Sequence, residues 1–182
     1  MFSNKIHEQA DLILREGKIS EAIDLYTKAL ALNPKDPNIV SDRGVAFLHL
    51  EDSENCLKDL NQAVELQPMY SYRYSCRAFA KSHFKDYDGA ILDYEKAVQL
   101  DPDDAVAHNN LGMILEQKGY KDKADERFAR ADKLSKMEDH LLDVVDKMDN
   151  NQDKKEEKNT PEHHEIDPTV KREKTVSSYR EF

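Results

Sequence analysis

Apolar residues recur along most of the chain three and four positions apart, the spacing of a single buried stripe on a helix. The stripe itself then returns at a fixed distance. Glu21 to Pro34 reads EAIDLYTKALALNP, and the segments ending at Pro68 and Pro102 read NCLKDLNQAVELQP and GAILDYEKAVQLDP. The period is 34 residues. A fourth, eroded copy, KADERFARADKLSK, ends at Lys136 without its proline. Self-similarity at this interval predicts stacked repeats, each burying its apolar face only against its neighbours.

The recurring columns ask for size and shape rather than chemistry. Ala10, Gly44, Ala78 and Gly112 stand 34 apart, as do Ala22, Cys56, Ala90 and Ala124, and Ala29, Ala63, Ala97 and Ala131. Small side chains there let two helices approach closely, where a bulky one forces off-rotamer packing at about 1–3 kcal/mol. The large column is Tyr26, Leu60, Tyr94 and Phe128, and Leu32, Leu66, Leu100 and Leu134 close each second helix. Pro34, Pro68 and Pro102 then stop it, since proline cannot continue a helix and restricts the residue before it. Over residues 3–138 these columns resemble the tetratricopeptide repeat (TPR). The resemblance implies an all-α fold: an α-solenoid, a right-handed superhelix of about four helix-turn-helix units. The units expected are 3–36, 37–70, 71–104 and a degenerate 105–138, followed by a capping helix over 137–148 and a disordered charged tail over 149–182.

Within repeat one the first helix is expected over 3–16, with Ile6, Ala10, Ile13 and Leu14 on its apolar face, a turn at Gly17, and Ser20 capping the second helix. Asp52 or Ser53 is the expected cap in repeat two. Repeat three is aromatic, with Tyr70, Tyr72, Tyr74, Phe79, Phe84 and Tyr87 crowded around its first helix, and Tyr74 and Tyr87 read as core. In repeat four, Asp125 and Asp132 replace the Ile23, Leu57, Ile91 and the Leu30, Val64, Val98 of earlier copies. A terminal repeat needs such a polar outer face, so the array is expected to end here. Met137, Leu141, Val144, Val145 and Met148 form one further stripe, either a cap or the seam of a homodimer through 137–148.

Composition narrows the function classes. The net charge is -10, with 35% charged residues, and no basic stripe is present, which argues against nucleic-acid binding. No apolar run reaches the length of a membrane span, and the first ten residues lack the apolar core of a signal peptide. A cytoplasmic protein with no membrane contact is therefore expected. Two cysteines make no disulfide framework, and both read as reduced. The tail is too polar to order itself, although Val176, Tyr179 and Phe182 recur every three residues beside Lys171, Arg172, Lys174 and Arg180. That spacing leaves open a short recognition segment.

Catalytic chemistry finds no residues to carry it. The five glycines all have structural posts, so none remains for a phosphate loop. His7, His49, His83 and His108 lack the i, i+4 pairing of a helical zinc site and read as polar surface, and His163 and His164 lie in the tail. No serine or cysteine has a local base. No cofactor and no enzymatic activity are expected.

The resemblance implies a concave groove lined by the first helix of every repeat. Register places Asn4, His7, Glu8, Asp11 and Arg15 there from repeat one, and Asn38, Ser41, Asp42, Val45 and His49 from repeat two. Repeat three contributes Tyr72, Ser75, Cys76, Phe79 and His83, and repeat four Val106, Asn109, Asn110, Met113, Glu116 and Gln117. Such a groove suits an extended peptide or partner helix, held by Asn109 and Asn110 and seated on Tyr72, Phe79 and Met113. Acidic residues in repeats one and two favour a ligand that is neutral or basic at that end. One TPR subclass clamps a chaperone's C-terminal carboxylate with lysine, asparagine and arginine. The matching positions here are His7, Asp11, Asp42, Tyr72 and Cys76, so that clamp is absent. A non-enzymatic adaptor is the first expectation, and a self-assembling scaffold acting through the C-terminal helix is the alternative.

Overall fold

The computed structural model describes residues 4–158 of the chain. Among them are eight α-helices and no strands: α1 Lys5–Arg15, α2 Ile19–Leu32, α3 Pro37–His49, α4 Ser53–Leu66, α5 Ser71–His83, α6 Tyr87–Leu100, α7 Ala105–Gln117 and α8 Lys121–Lys158. The chain divides into two units, Met1–His140 and Leu141–Phe182. The first is a helical solenoid, in which α1/α2, α3/α4 and α5/α6 pack as hairpins and each second helix packs on the first helix that follows.

Local sequence sets the helix ends. Asn4, Asp36, Asp52, Asp86 and Asp104 each accept a backbone N–H of the first turn through their side chains, satisfying donors that a helix start otherwise leaves open. The expected cap at Asp52 is present. Ser20 is not a cap: α2 begins at Ile19, and Lys18 precedes it without a side-chain hydrogen bond. The tight turn explains this, because Gly17 takes φ +80° and Lys18 N–H already donates to Ile13 O, so helix starts immediately. The same left-handed conformation recurs one period apart at Glu51 (φ 58°), Lys85 (φ 66°) and Gly119 (φ 85°), two of them without glycine's freedom.

Three apolar clusters run through the solenoid. The first joins Ala10, Ala22, Tyr26 and Ala29 to Ile39, Val40, Ala46 and Ala63. The second comprises Leu48, Cys56, Leu60 and Ala80, and the third Ala78, Ala90, Tyr94, Ala97, Leu111, Leu115 and Ala124. Tyr26 and Tyr94 are 0% and 1% exposed, each contributing on the order of 2–3 kcal/mol through its ring. Tyr74 and Tyr87 pack against the third cluster, as the sequence predicts, and Tyr74 Oη donates to Pro68 O. Between the clusters, two bidentate ion pairs join the helices of a hairpin. Arg43 Nε and Nη2 reach Asp59 at 2.7 and 2.9 Å, and Arg77 repeats this on Asp93 at 2.8 and 2.6 Å, with Lys81 Nζ 2.8 Å from Asp93 as well.

The C-terminal expectations need correction. No separate helix spans 137–148; α8 runs unbroken from Lys121 to Lys158. The cause is plain in the sequence, where no glycine or proline occurs between Gly119 and Pro161 and Lys136 stands where earlier copies carry the stopping proline. Residues 149–158, expected to be disordered, are helical. The rest of the expected tail, with His163, His164, Val176, Tyr179 and Phe182, lies outside the described residues. Asp125 and Asp132 are exposed, as a polar outer face on repeat four requires.

Candidate interaction surface

The first helices α1, α3 and α5 lie side by side, and polar contacts tie them at the expected groove positions. His7 Nε2 lies 2.7 Å from Asp42 Oδ2, joining α1 to α3, and the imidazole meets the Tyr26 ring edge-on at 5.9 Å. Burial pushes the Asp42 carboxyl above its ordinary range, opposed by the His7 hydrogen bond and by the charges of His7 and Arg73. Asp11 holds Arg15 Nε at 2.8 Å. Across the next interval, burial raises the Cys76 thiol, while the Tyr72 and Ser41 hydroxyls act on it in the opposite sense. His83 Nε2 reaches both carboxylate oxygens of Glu51 at 2.9 Å.

Several expected groove residues are less accessible than their register implies. His7 and Ser41 are each 1% exposed, so neither presents a polar surface as expected. Asp42 and Tyr26 explain His7: a hydrogen-bonding carboxylate and a ring edge enclose the imidazole. His108, also expected at the surface, is 5% exposed, and its Nε2 donates to Pro102 O at 3.1 Å. Asn4, Asp11, Asn38, Asp42, Ser75, Cys76 and Asn110 are half-buried. Open to solvent are Glu8, Arg15, His49, Tyr72, Phe79, His83, Val106, Asn109, Met113, Glu116 and Gln117.

The accessible set has a defined character. Tyr72, Phe79, Val106 and Met113 are 51%, 56%, 69% and 57% exposed, on α5 and α7. Large apolar side chains left in water on successive first helices mark contact area rather than core. Elsewhere among the groove positions, Asn4 Nδ2 and Ser75 Oγ are buried without a protein hydrogen-bond partner, as Tyr26 Oη and His108 Nδ1 are outside the groove, and Ser41 Oγ has the Cys76 thiol near it. Asn109 Nδ2 lies 3.7 Å from Met113 Sδ, and Gln117 Nε2 donates to Tyr87 Oη.

One residue that register does not flag organises this surface. Arg73, 2% exposed, is the largest fully buried side chain among the described residues. Its Nε donates to Gln67 Oε1 and its Nη2 to Asn38 Oδ1, bracing the α4–α5 turn against α3. Its guanidinium lies 5.2 Å from the Tyr70 ring centroid and 5.9 Å from that of Tyr72, which fixes two exposed aromatics in place. Its column, Lys5, Ile39, Arg73 and Ala107, gives no sign of this burial by itself. No group of three or more His, Cys, Asp or Glu among the described residues could hold a metal ion, and no described helix is long and apolar enough to cross a membrane.

Comparison with known proteins bears on the same surface. The model of the TPR repeat matches residues 10–50 and 85–119, and a second tetratricopeptide-repeat model matches 105–136. Hsp70-Hsp90 organizing protein 2 of Arabidopsis thaliana is 34% identical over 68 residues, 37% of this chain, and Hsc70-interacting protein 1 of Drosophila melanogaster is 38% identical over 64 residues, 35% of this chain. The matched stretches span only 12% and 17% of those relatives' own length. Among solved structures, the first TPR of Spaghetti (RPAP3) bound to HSP90 peptide SRMEEVD is 31% identical with a TM-score of 0.59, covering 63% of this chain and 90% of that one. MamA from Desulfovibrio magneticus RS-1 has a TM-score of 0.67 at 22% identity over 74% of this chain and 76% of its own, a likeness of fold alone. The 34-residue period, the stacked hairpins and these matches agree: the chain belongs to the tetratricopeptide-repeat family.

Proposed function

We propose that this protein is a non-enzymatic adaptor that holds an extended peptide or a partner helix along its first helices. The observation that carries this reading is the exposed apolar row Tyr72, Phe79, Val106 and Met113 on α5 and α7, flanked by polar groups able to meet a backbone, Asn109, Asn110 and Ser75. Apolar anchors beside hydrogen-bonding groups are what a linear ligand needs, because the anchors supply affinity and the polar groups fix register. The first TPR of Spaghetti (RPAP3), of the same family, is bound to an HSP90 peptide, which supports a peptide as the class of ligand. The clamp positions do not carry over, since Asp11 and Asp42 stand where a carboxylate would need donors. The ligand's end over α1 and α3 is neutral or basic. The protein works in the cytoplasm, and neither nucleic acid nor membrane is its partner.

Capture from native extract tests the proposal, with wild type beside Tyr72→Ala/Phe79→Ala, both confirmed folded by circular dichroism. A protein recovered by wild type and lost from the double variant supports the groove. Equal recovery would refute it. The rival use, self-assembly through 137–148, rests on Met137 and Leu141, 58% and 63% exposed on α8. Leu141→Asp would reduce particle size in sedimentation only if that rival holds.

A further inference from the structure

We propose that the groove selects a linear segment by two features: a cationic side chain lodged against Asp42 and Asp11, and an aromatic or aliphatic side chain seated on Phe79 and Met113. The proposal rests on the groove-adaptor reading and specifies the chemistry of its ligand. Asp42 gives one oxygen to His7 and keeps 37% of its side chain open, and Asp11 stands beside it on α1 with 22% open. The cations nearby are already engaged: Arg15 Nε lies 2.8 Å from Asp11, and Arg73 is buried against Asn38 and Gln67. Arg73 is closed off, Arg15 is exposed but held on Asp11 by its Nε, and a ligand carboxylate seated at Asp42 itself would face like charge. A guanidinium or ammonium would complete both carboxylates.

A half-buried carboxylate is costly to keep ionised, and burial is the foremost cause raising the Asp42 carboxyl. A ligand cation removes part of that cost, so affinity and sign selection come from the same group. The net charge of -10 adds long-range attraction for a basic segment. Spacing follows from the helices. Neighbouring helices pack about 8–10 Å apart, and an extended chain advances about 3.3 Å per residue. A cation over α3 and an apolar side chain over α5 or α7 are therefore roughly three to six residues apart on the ligand.

The test uses the full chain and three amidated, fluorescein-labelled peptides on one serine-rich backbone. The first carries an arginine pair and, after a four-residue spacer, Phe-Leu. The second replaces the arginines with glutamates, and the third replaces Phe-Leu with serines. Each is made in both chain directions, and binding is read by fluorescence anisotropy. The arginine peptide is expected to bind at least about ten-fold more tightly than either control in one direction. Asp42→Asn keeps an oxygen for the His7 hydrogen bond and removes the charge. It should reduce the arginine-over-glutamate preference about three-fold or more with an unchanged melting curve. Three results would overturn the proposal: equal or tighter binding of the glutamate peptide, an arginine preference untouched by Asp42→Asn, or no binding of the arginine peptide. If peptides bind but Tyr72→Ala/Phe79→Ala alters none of them, the groove reading itself fails. If wild type binds both signs equally and that double variant abolishes both, the groove stands and only its charge code falls.

Discussion

Replacing Gly112 with alanine puts one methyl group into a close helix contact, against the ring of Phe128. A Cβ there would lie 2.6 Å from Phe128 Cε1, 2.8 Å from Cδ1 and 3.1 Å from Cζ, the first two closer than carbon atoms tolerate. The ring must move, yet it packs on a cluster that includes Leu111, Leu115 and Ala124, and its partial burial leaves only an outward turn. Overpacking of this kind costs about 1–3 kcal/mol, and alanine returns about 1 kcal/mol of helix propensity over glycine. The net loss is therefore roughly 0–2 kcal/mol. Gly44 provides the internal comparison, because its added Cβ meets Leu60 Cγ at 3.0 Å and Asp59 Cβ at 3.2 Å, so Gly44→Ala should cost less than Gly112→Ala. Urea titrations followed by far-UV circular dichroism give both values. A double-mutant cycle with Phe128→Leu isolates the contact: the cost of Gly112→Ala should shrink by more than half in the Phe128→Leu background. A Gly112→Ala midpoint above wild type, or a cost unchanged by Phe128→Leu, would refute this account of the Ala10, Gly44, Ala78, Gly112 column.

Other outcomes follow from the same contacts. Lys85 holds φ 66° in the turn position where Gly17 and Gly119 stand, so Lys85→Gly should leave stability unchanged or raise it by up to about 1 kcal/mol in the same titration; a clear loss would mean the turn is not strained. Asp59, 3% exposed by its side chain, receives both arms of Arg43, and Asp59→Ala should cost on the order of 2–4 kcal/mol by leaving that guanidinium unpaired, against less than about 1 kcal/mol for exposed Asp143→Ala. For Asp42, whose carboxyl binds its proton more tightly in the fold than in the unfolded chain, the charged form is the disfavoured one. Its cost is absent below the unfolded carboxylate pKa of about 3.9 and fully present above the raised folded value. Asp42→Asn should therefore be neutral to stabilising at pH 7, with the difference fading as pH falls into the carboxylate range; destabilisation at pH 7 would refute the sign. The Cys56 thiol is fully buried and pushed up to about 12, so a disulfide reagent at pH 8 should modify half-buried Cys76 first and Cys56 only on unfolding.

How far the chain could be read before its structure depended on whether each feature is local or needs a neighbour. The hairpins, the small and large columns and the Asp52 cap follow from residue type and period alone. So would the left-handed turns at Glu51 and Lys85, but only if the register of Gly17 is carried forward past residues that are not glycine. Burial at the groove is different in kind. His7 and Asn109 share one column, yet Asp42 and Tyr26 enclose the first, while the second lies on α7, after which no further first helix occurs among the described residues. Arg73 in the column Lys5, Ile39, Arg73, Ala107 gives no sign of burial by itself, and its partners, Asn38 and Gln67, come from other elements. The run of α8 to Lys158 was legible as a missing stop, Lys136 for proline, although the polar composition of 149–158 argued the other way.

A photo-crosslinking side chain, p-benzoylphenylalanine, placed at position 79 in one sample and at position 92 in another tests the central claim most directly. Both native residues, Phe79 on α5 and Leu92 on α6, are well exposed, at 56% and 67%, so they differ in face rather than in access. Irradiation in native extract followed by mass spectrometry should give a discrete adduct from position 79 and none from position 92. An adduct from position 92 alone, or the same adducts from both, would contradict the assignment of the first-helix face as the working surface.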